Sequence, residues 1–316
     1  MKYVLLSKNL QLTAFTLLLL VPAGSFASYS FTTIDYPDSA APVWSYASDI
    51  NDSGQVVGRY MDDTGKGHGY LFSEDIFSSV DYPGPSWTYT YSWAINNSGQ
   101  IAGYYGNATE RHGFSLSGEA FTSIDYPEAS QTVATDLNDF GEIAGGYTDK
   151  SGGHGFFLSE GLFSTIDYQG SLETEASSIN NNGQIAGRYW DTSWKSHGYL
   201  LSEEVFESID FPEAAETQAH RINDNGSVVG RYWDALGKAH GYIFSEGSYT
   251  AIDFPGAKDT EAFGINNSGQ VVGRYMDDTG KAHGFTASPV APEPVSSILF
   301  LAGGAALGWA GLRKRA

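Results

Sequence analysis

Residues 221–254 read RINDNG, then SVVGRYW (Ser227–Trp233), DALGKA, HGYIFS (His240–Ser245), EG and S, and finally YTAIDF (Tyr249–Phe254). One run of alternating apolar and polar residues ends at Asn223, and three more follow it, each divided from the next by a cluster of Asp, Asn, Gly or Glu. Short β-branched and aromatic runs between turn residues are the signature of strands, so this stretch predicts four antiparallel strands in one period.

The same pattern is written six times, roughly every 43 residues. The aspartate of its IDY or IDF step falls at Asp35, Asp81, Asp125, Asp167, Asp210 and Asp253, and the asparagine of its IN step at Asn51, Asn96, Asn138, Asn180, Asn223 and Asn266. The histidine of its HG step falls at His68, His112, His154, His197, His240 and His283, so six of the seven histidines share one repeat position and only His220 stands outside. Four strands in about 43 residues is the arithmetic of a β-propeller blade. The chain after residue 27 opens on a lone final-type strand, Tyr29–Tyr36, and the sixth repeat stops after its third. Pairing the first strand into the last blade removes exposed edges. The expectation is an all-β, six-bladed β-propeller of four-stranded blades over residues 28–288, closed by the N-terminal strand. An open β-solenoid, the alternative, has no reason to begin and end out of phase.

In such a blade the IDY aspartate ends the fourth strand, the GRY arginine ends the second and the HG histidine begins the third, so all three are expected near one face as a local network that clips strands together. The arginine is incomplete: Arg59, Arg188, Arg231 and Arg274 are answered by Tyr104 and Gly146 in the second and third repeats. A residue repeated around a ring serves the ring, so no catalytic role is assigned to these positions. No metal is assigned to the six histidines either, because equivalent blade positions lie too far apart to share one ion through bonds of about 2 Å. Asp49-Ile50-Asn51-Asp52-Ser53-Gly54 has the oxygen-rich start of a calcium loop, but Tyr60 stands where the closing acid belongs, and a glycine β-turn accounts for all six copies.

The asymmetric residues carry the functional expectation. Trp44, Trp87 and Tyr89, with Tyr91 and Trp93 beside them, and Trp190, Trp194 and Trp233 lie in or next to the connections at that same face. Flat aromatic surfaces there can stack on sugar rings. The expected function is non-catalytic binding of a glycan or matrix component, with no cofactor. The alternatives are a glycan hydrolase or lyase using loop acids such as Glu173, Glu175, Glu213 and Glu216, which requires paired carboxylates about 5 to 10 Å apart, and a purely structural matrix or adhesion protein.

Composition narrows the partners. Of 17 basic and 37 acidic residues, five basic and one acidic lie in the terminal segments; 12 and 36 remain, a net charge of −24. Such a surface repels phosphate backbones, which disfavours nucleic acid. There is no cysteine, so stability rests on a packed core in which aromatic residues, 14% of the chain, take a large share.

Residues 1–27 combine Lys2 and Lys8, an apolar run and Ser25-Phe26-Ala27, a pattern that predicts a signal peptide and engagement of the export machinery; an uncleaved anchor is the alternative. At the other end, Pro292-Glu293-Pro294 precedes 18 uncharged residues, 295–312, and then Arg313-Lys314-Arg315. Eighteen residues at 1.5 Å each make about 27 Å, enough for a transmembrane helix, with the basic cluster favouring the cytoplasmic side. This three-part tail over 289–316 resembles the PEP-CTERM sorting signal of Gram-negative bacteria that make extracellular polysaccharide. The resemblance implies an inner-membrane precursor cut by an exosortase-like membrane protease and then displayed or released at the cell surface; an unprocessed tail anchor is the alternative. The repeat itself, as in His283-Gly284-Phe285, resembles the HAF repeats of extracellular bacterial proteins, which implies location and fold but no chemistry.

Overall fold

In a computed structural model the described residues are 28–37, 44–84 and 86–290. The signal peptide and the sorting tail, with Pro292, Glu293, Pro294, Arg313, Lys314 and Arg315, lie outside them. Among the described residues there are 24 strands and no helix.

The first repeat shows how the sequence builds each unit. Its strands are Trp44–Ile50, Val56–Met61, Gly67–Ser73 and Ile76–Val80, paired antiparallel in that order. Asn51 makes the first turn: its Oδ1 accepts the backbone N–H of Ser53 at 3.1 Å and of Gln55 at 3.0 Å, while Gly54 takes the left-handed conformation at φ 79°. An asparagine that bonds its own backbone and a glycine with no Cβ penalty are what this turn needs. The glycine before the arginine has a packing reason. A Cβ on Gly58 would lie 2.4 Å from the ring of Tyr70 and 2.2 Å from the carbonyl of Tyr46, so the fully buried aromatic of the HGY step lies across a bare strand.

Six such sheets follow one another. Their inner strands are Trp44–Ile50, Tyr89–Ile95, Gln131–Leu137, Glu173–Ile179, Glu216–Ile222 and Asp259–Ile265, and each packs against the next, the last against the first. The expected out-of-phase ends are joined: Tyr29–Ile34 pairs antiparallel with Ala282–Pro289 and becomes the fourth strand of the sixth sheet. The sheets do not merge into a closed barrel. Among the described residues, backbone pairing between neighbouring units is limited to single bridges, Gly67 with Tyr89 and Arg111 with Gln131. Neighbours are held instead by apolar clusters shared between units, such as Val57 and Val80 against Ile95, Ile101, Tyr105 and Phe114.

Side-chain hydrogen bonds complete the circuit at the inner turns. Asn51 Nδ2 donates to the carbonyl of Asn96, Asn96 to that of Asn138, and so on through Asn180 and Asn223 to Asn266, whose Nδ2 donates back to the carbonyl of Asn51 at 3.1 Å. The next residue alternates around the ring: Asp52, Asn97, Asp139, Asn181, Asp224, Asn267. Each of these asparagines donates to the carboxylates on both sides, as Asn181 Nδ2 does to Asp139 at 2.8 Å and Asp224 at 2.9 Å. A carboxylate only accepts and an amide nitrogen donates twice, so strict alternation satisfies the whole ring.

Every inner strand carries a β-bulge at one position, between Ala47 and Asp49 and at its five equivalents. Bulges re-aim side chains. Here the extra residues are Ser48, Trp93, Thr135, Ser177, His220 and Phe263, and all but Ser48 line a cavity that the six units enclose on the axis.

Candidate functional site

The repeated histidine and aspartate meet in every unit. His68 Nδ1 lies 2.9 Å from Asp81, and the same pair forms at His112 with Asp125, His154 with Asp167, His197 with Asp210 and His240 with Asp253. His283 pairs at 2.6 Å with Asp35, from the other end of the chain. The hydrogen bond to Asp81 raises the pKa of His68 in spite of burial. The aromatic residue after each aspartate stacks on the GRY tyrosine of the next unit, as Tyr82 does on Tyr105 at 3.5 Å and Phe254 on Tyr275 at 3.7 Å. The Asp-aromatic dipeptide therefore ties one unit internally and staples it to its neighbour.

The arginine does not join this network. Successive residues of a strand point to opposite faces, and with the GRY tyrosine turned toward the histidine the arginine turns toward the axis. Arg188 bonds Glu175 at 2.7 Å and Gln218 at 2.6 Å, and Arg231 and Arg274 both pair with Glu261. Burial pushes Glu261 up, but the two guanidiniums outweigh it and hold its carboxyl at about 2. His220, the one histidine outside the pattern, lies on the same wall. Burial, reinforced by Arg231 and Arg188, pushes it down to about 3, and its Nδ1 is 2.9 Å from the carbonyl of Ala262.

One layer nearer the asparagine ring, the six copies at one inner-strand position are Asp49, Ala94, Asp136, Ser178, Arg221 and Gly264. Arg221 pairs with Asp136 and with Asp49, the latter at 3.3 Å, and donates to the carbonyl of Trp93 at 2.8 Å. Gly264 leaves room, because a Cβ there would lie 2.7 Å from Asp49 Cα. Burial pushes Asp49 up to about 7 against the pull of Arg221, with Asp136 adding to the rise. This triad plugs the axis: Arg221 lines both the axial cavity on one side and the Asn-lined depression on the other.

Beyond the plug the structure is open on the face of the expected aromatic loops. Gly146 in place of arginine, with Val133, Gln131 and Thr148 nearby, leaves a cleft of about 340 Å³ at the third unit. Its walls are Trp93 and Tyr104 on one side and Trp190, Glu173, Glu175 and Arg188 on the other, with Arg111 at the rim. The guanidinium of Arg188 lies 5.2 Å from the Trp190 ring centre. The cleft runs into the axial cavity of about 300 Å³, sharing Trp93, Thr135, Glu175 and Arg188 with it.

Of the expected aromatic binders, Trp190 lines this cleft, and so does Trp93 from the set beside Tyr89. Trp87 packs edge-on against Tyr105 at 4.9 Å and against His112, within the apolar cluster between the first two units. Trp44 stacks on Tyr46 at 4.6 Å, and Tyr89 on Tyr91 at 5.1 Å with its hydroxyl donated to Asn107. Trp233 lies under Arg231 at 4.3 Å. Trp194 is 61% exposed at the tip of a turn, apart from the others. Of the alternative acids, Glu175 is committed to Arg188, and Glu216 accepts from Ser196 at 2.6 Å; Glu213 occupies a turn at φ 62°. Tyr104, Arg111 and Arg221 belong to the site but stand apart from the aromatic and acidic sets expected to bind. Their signal in the sequence was departure from the copies at equivalent repeat positions, as Tyr104 and Gly146 already showed.

No protein-family model matches the chain, and no curated protein matches it. Solved structures do resemble it. AofleA from Arthrobotrys oligospora is 11% identical, with 84% of this chain and 91% of that chain covered at a TM-score of 0.53. A lectin from Aleuria aurantia, solved with Fucalpha1-6GlcNAc, is 11% identical over 79% of this chain and 96% of its own at 0.51. TolB from Acinetobacter baumannii, 11% identical, covers 75% of this chain and 64% of its own, also at 0.51. At these identities the likeness shows the fold, a β-propeller, and nothing of the chemistry.

Proposed function

We propose that the chain is an exported, glycan-binding six-bladed β-propeller that acts by binding rather than by catalysis. The observation that carries this reading is the cleft at the third unit. There, loss of one repeated arginine to Gly146 opens a single asymmetric hollow between aromatic walls, with charged and amide groups at its edges. A pocket of several hundred Å³ with aromatic faces and a few convergent polar groups is the form a sugar site takes, the rings stacking on the C–H faces of the sugar and the polar groups bonding its hydroxyls. The likeness in fold to a lectin solved with a fucosylated sugar supports the same reading. Hydrolysis is disfavoured because Glu175, one of the two acids in the cleft, is neutralised by Arg188. The PEP-CTERM-like tail supports display or release at the surface of a polysaccharide-producing Gram-negative cell, after passage through the export machinery and cleavage by an exosortase-like protease.

A glycan array followed by titration of the host's own polysaccharide tests this. Trp190→Ala is expected to weaken binding at least tenfold with an unchanged melting temperature, whereas Trp194→Ala leaves affinity as it was. Unaltered binding by the Trp190 variant sinks the proposed cleft, and release of reducing ends by the wild type but not by Glu173→Gln would favour the hydrolase.

A further inference from the structure

The axial end of the cleft holds a cation with no anionic partner among the described residues. Four arginines reach this cavity from the second strands of their sheets, and three of them are matched: Arg188 by Glu175, Arg231 and Arg274 by Glu261. Arg221 in the plug is matched by Asp49 and Asp136. Arg59 is not. It is only 8% exposed, and its one hydrogen bond among the described residues is a long contact of 3.4 Å to the hydroxyl of Ser48. Around it stand rings: Trp93 at 4.0 Å, Tyr46 at 5.1 Å, Tyr91 and Phe263 at 5.8 Å.

A guanidinium carries five N–H donors, and π faces satisfy its charge but not those donors. A buried charge without a counter-ion is costly, so natural sites rarely keep one unless something arrives to neutralise it. A further donor on the same wall also lacks an acceptor among the described residues: Ser177 Oγ is buried with no hydrogen-bond partner, and Ser177 lines the cavity. The Arg59 guanidinium and the Ser177 hydroxyl converge where no free acceptor among the described residues answers them. The group that complements them is rich in acceptors and negatively charged.

We infer that the cavity takes the carboxylate of an acidic sugar, a hexuronic acid, with Arg59 as its counter-ion and the sugar ring lying out along the cleft toward Trp190. This rests on the glycan-binding reading and names the class of sugar. A carboxylate fits better than a point anion because its two oxygens match the fork of a guanidinium, and because the cleft continues from the cavity for the length of another ring. The charge is local: the rest of the domain is strongly acidic, so a long polyanion is repelled everywhere except at this opening.

The test compares digalacturonate with its methyl ester, which keeps the sugar and removes the charge, by calorimetric titration of wild type, Arg59→Gln and Arg59→Lys, with inorganic sulfate as a competitor. The free acid is expected to bind at least tenfold more tightly than the ester to the wild type. Arg59→Gln is expected to bring the ratio near one, and Arg59→Lys to keep part of it. A melting curve for each variant separates loss of fold from loss of charge, and the Lys variant carries the test if the Gln variant does not fold. Equal binding of acid and ester, with both lost in Trp190→Ala, overturns the inference and leaves the glycan reading standing. Displacement of digalacturonate by sulfate at equal concentration overturns the sugar and leaves an anion site. Binding of neither sugar form overturns the inference and leaves the glycan reading to the array.

Discussion

Arg221 shows how a single residue at a repeated position becomes a device the repeat alone does not contain. Five other copies there are Asp, Ala, Asp, Ser and Gly, and these choices read as one construction: two carboxylates to hold the guanidinium, and small residues to admit it. The pattern was visible as variation at one column, but its meaning depends on all six copies facing one axis, which spacing within a repeat does not convey. His220 is the matching case one layer away. The unfolded chain takes up a proton on this ring near pH 6.5, whereas the folded one refuses it down to about 3. Its contribution to stability is therefore full above 6.5 and is lost as the pH falls. Between about pH 6.5 and 4.5 the wild type should lose about 2 kcal/mol more than His220→Gln, measured by urea midpoints at the two pH values. Equal losses would mean that the imidazole is not enclosed as the geometry implies.

At the scale of elements, strand order and the joining of the ends were legible in the sequence because both follow from period-2 patterning and turn residues. Tyr29–Ile34 pairs along its whole length with the last strand. Deleting residues 28–36 leaves the edge of Ala282–Pro289 unpaired and also removes Asp35 from His283 and Tyr36 from the face of Tyr60. The expected outcome is loss of the cooperative melting transition and a shift to larger species on size exclusion; a monomer melting as the full chain does would show that closure matters little. The direction of the repeated arginine was not legible. Its position at a strand end placed it near histidine and aspartate, but strand alternation sends it to the other side of the sheet. The six bulges were invisible as well, since a bulge changes no residue type, and without them the side chains that line the axial cavity point elsewhere.

For the whole molecule, alternation of Asp and Asn around the inner ring imposes parity: six copies close with every donor matched, and an odd number cannot. Asn181→Asp sets three carboxylates side by side, those of Asp139 and Asp224 flanking the new one. It should cost roughly 2 kcal/mol at pH 7 through two lost amide bonds and like-charge repulsion. A melting temperature within a degree of wild type at pH 7 would show the ring to be ornamental. The candidate site follows the opposite logic from the ring, lying where the copies disagree. That principle was readable from Tyr104 and Gly146, yet which tryptophans share a cleft was not, because Trp87 and Trp190 differ only in which neighbours their connections bring. Hydrogen–deuterium exchange with and without bound polysaccharide tests this most directly. The account predicts protection confined to 89–111, 131–154 and 173–190, the segments that wall the cleft. Protection centred instead on the outer turns around Trp194 and Leu162, with the cleft segments unchanged, would contradict it.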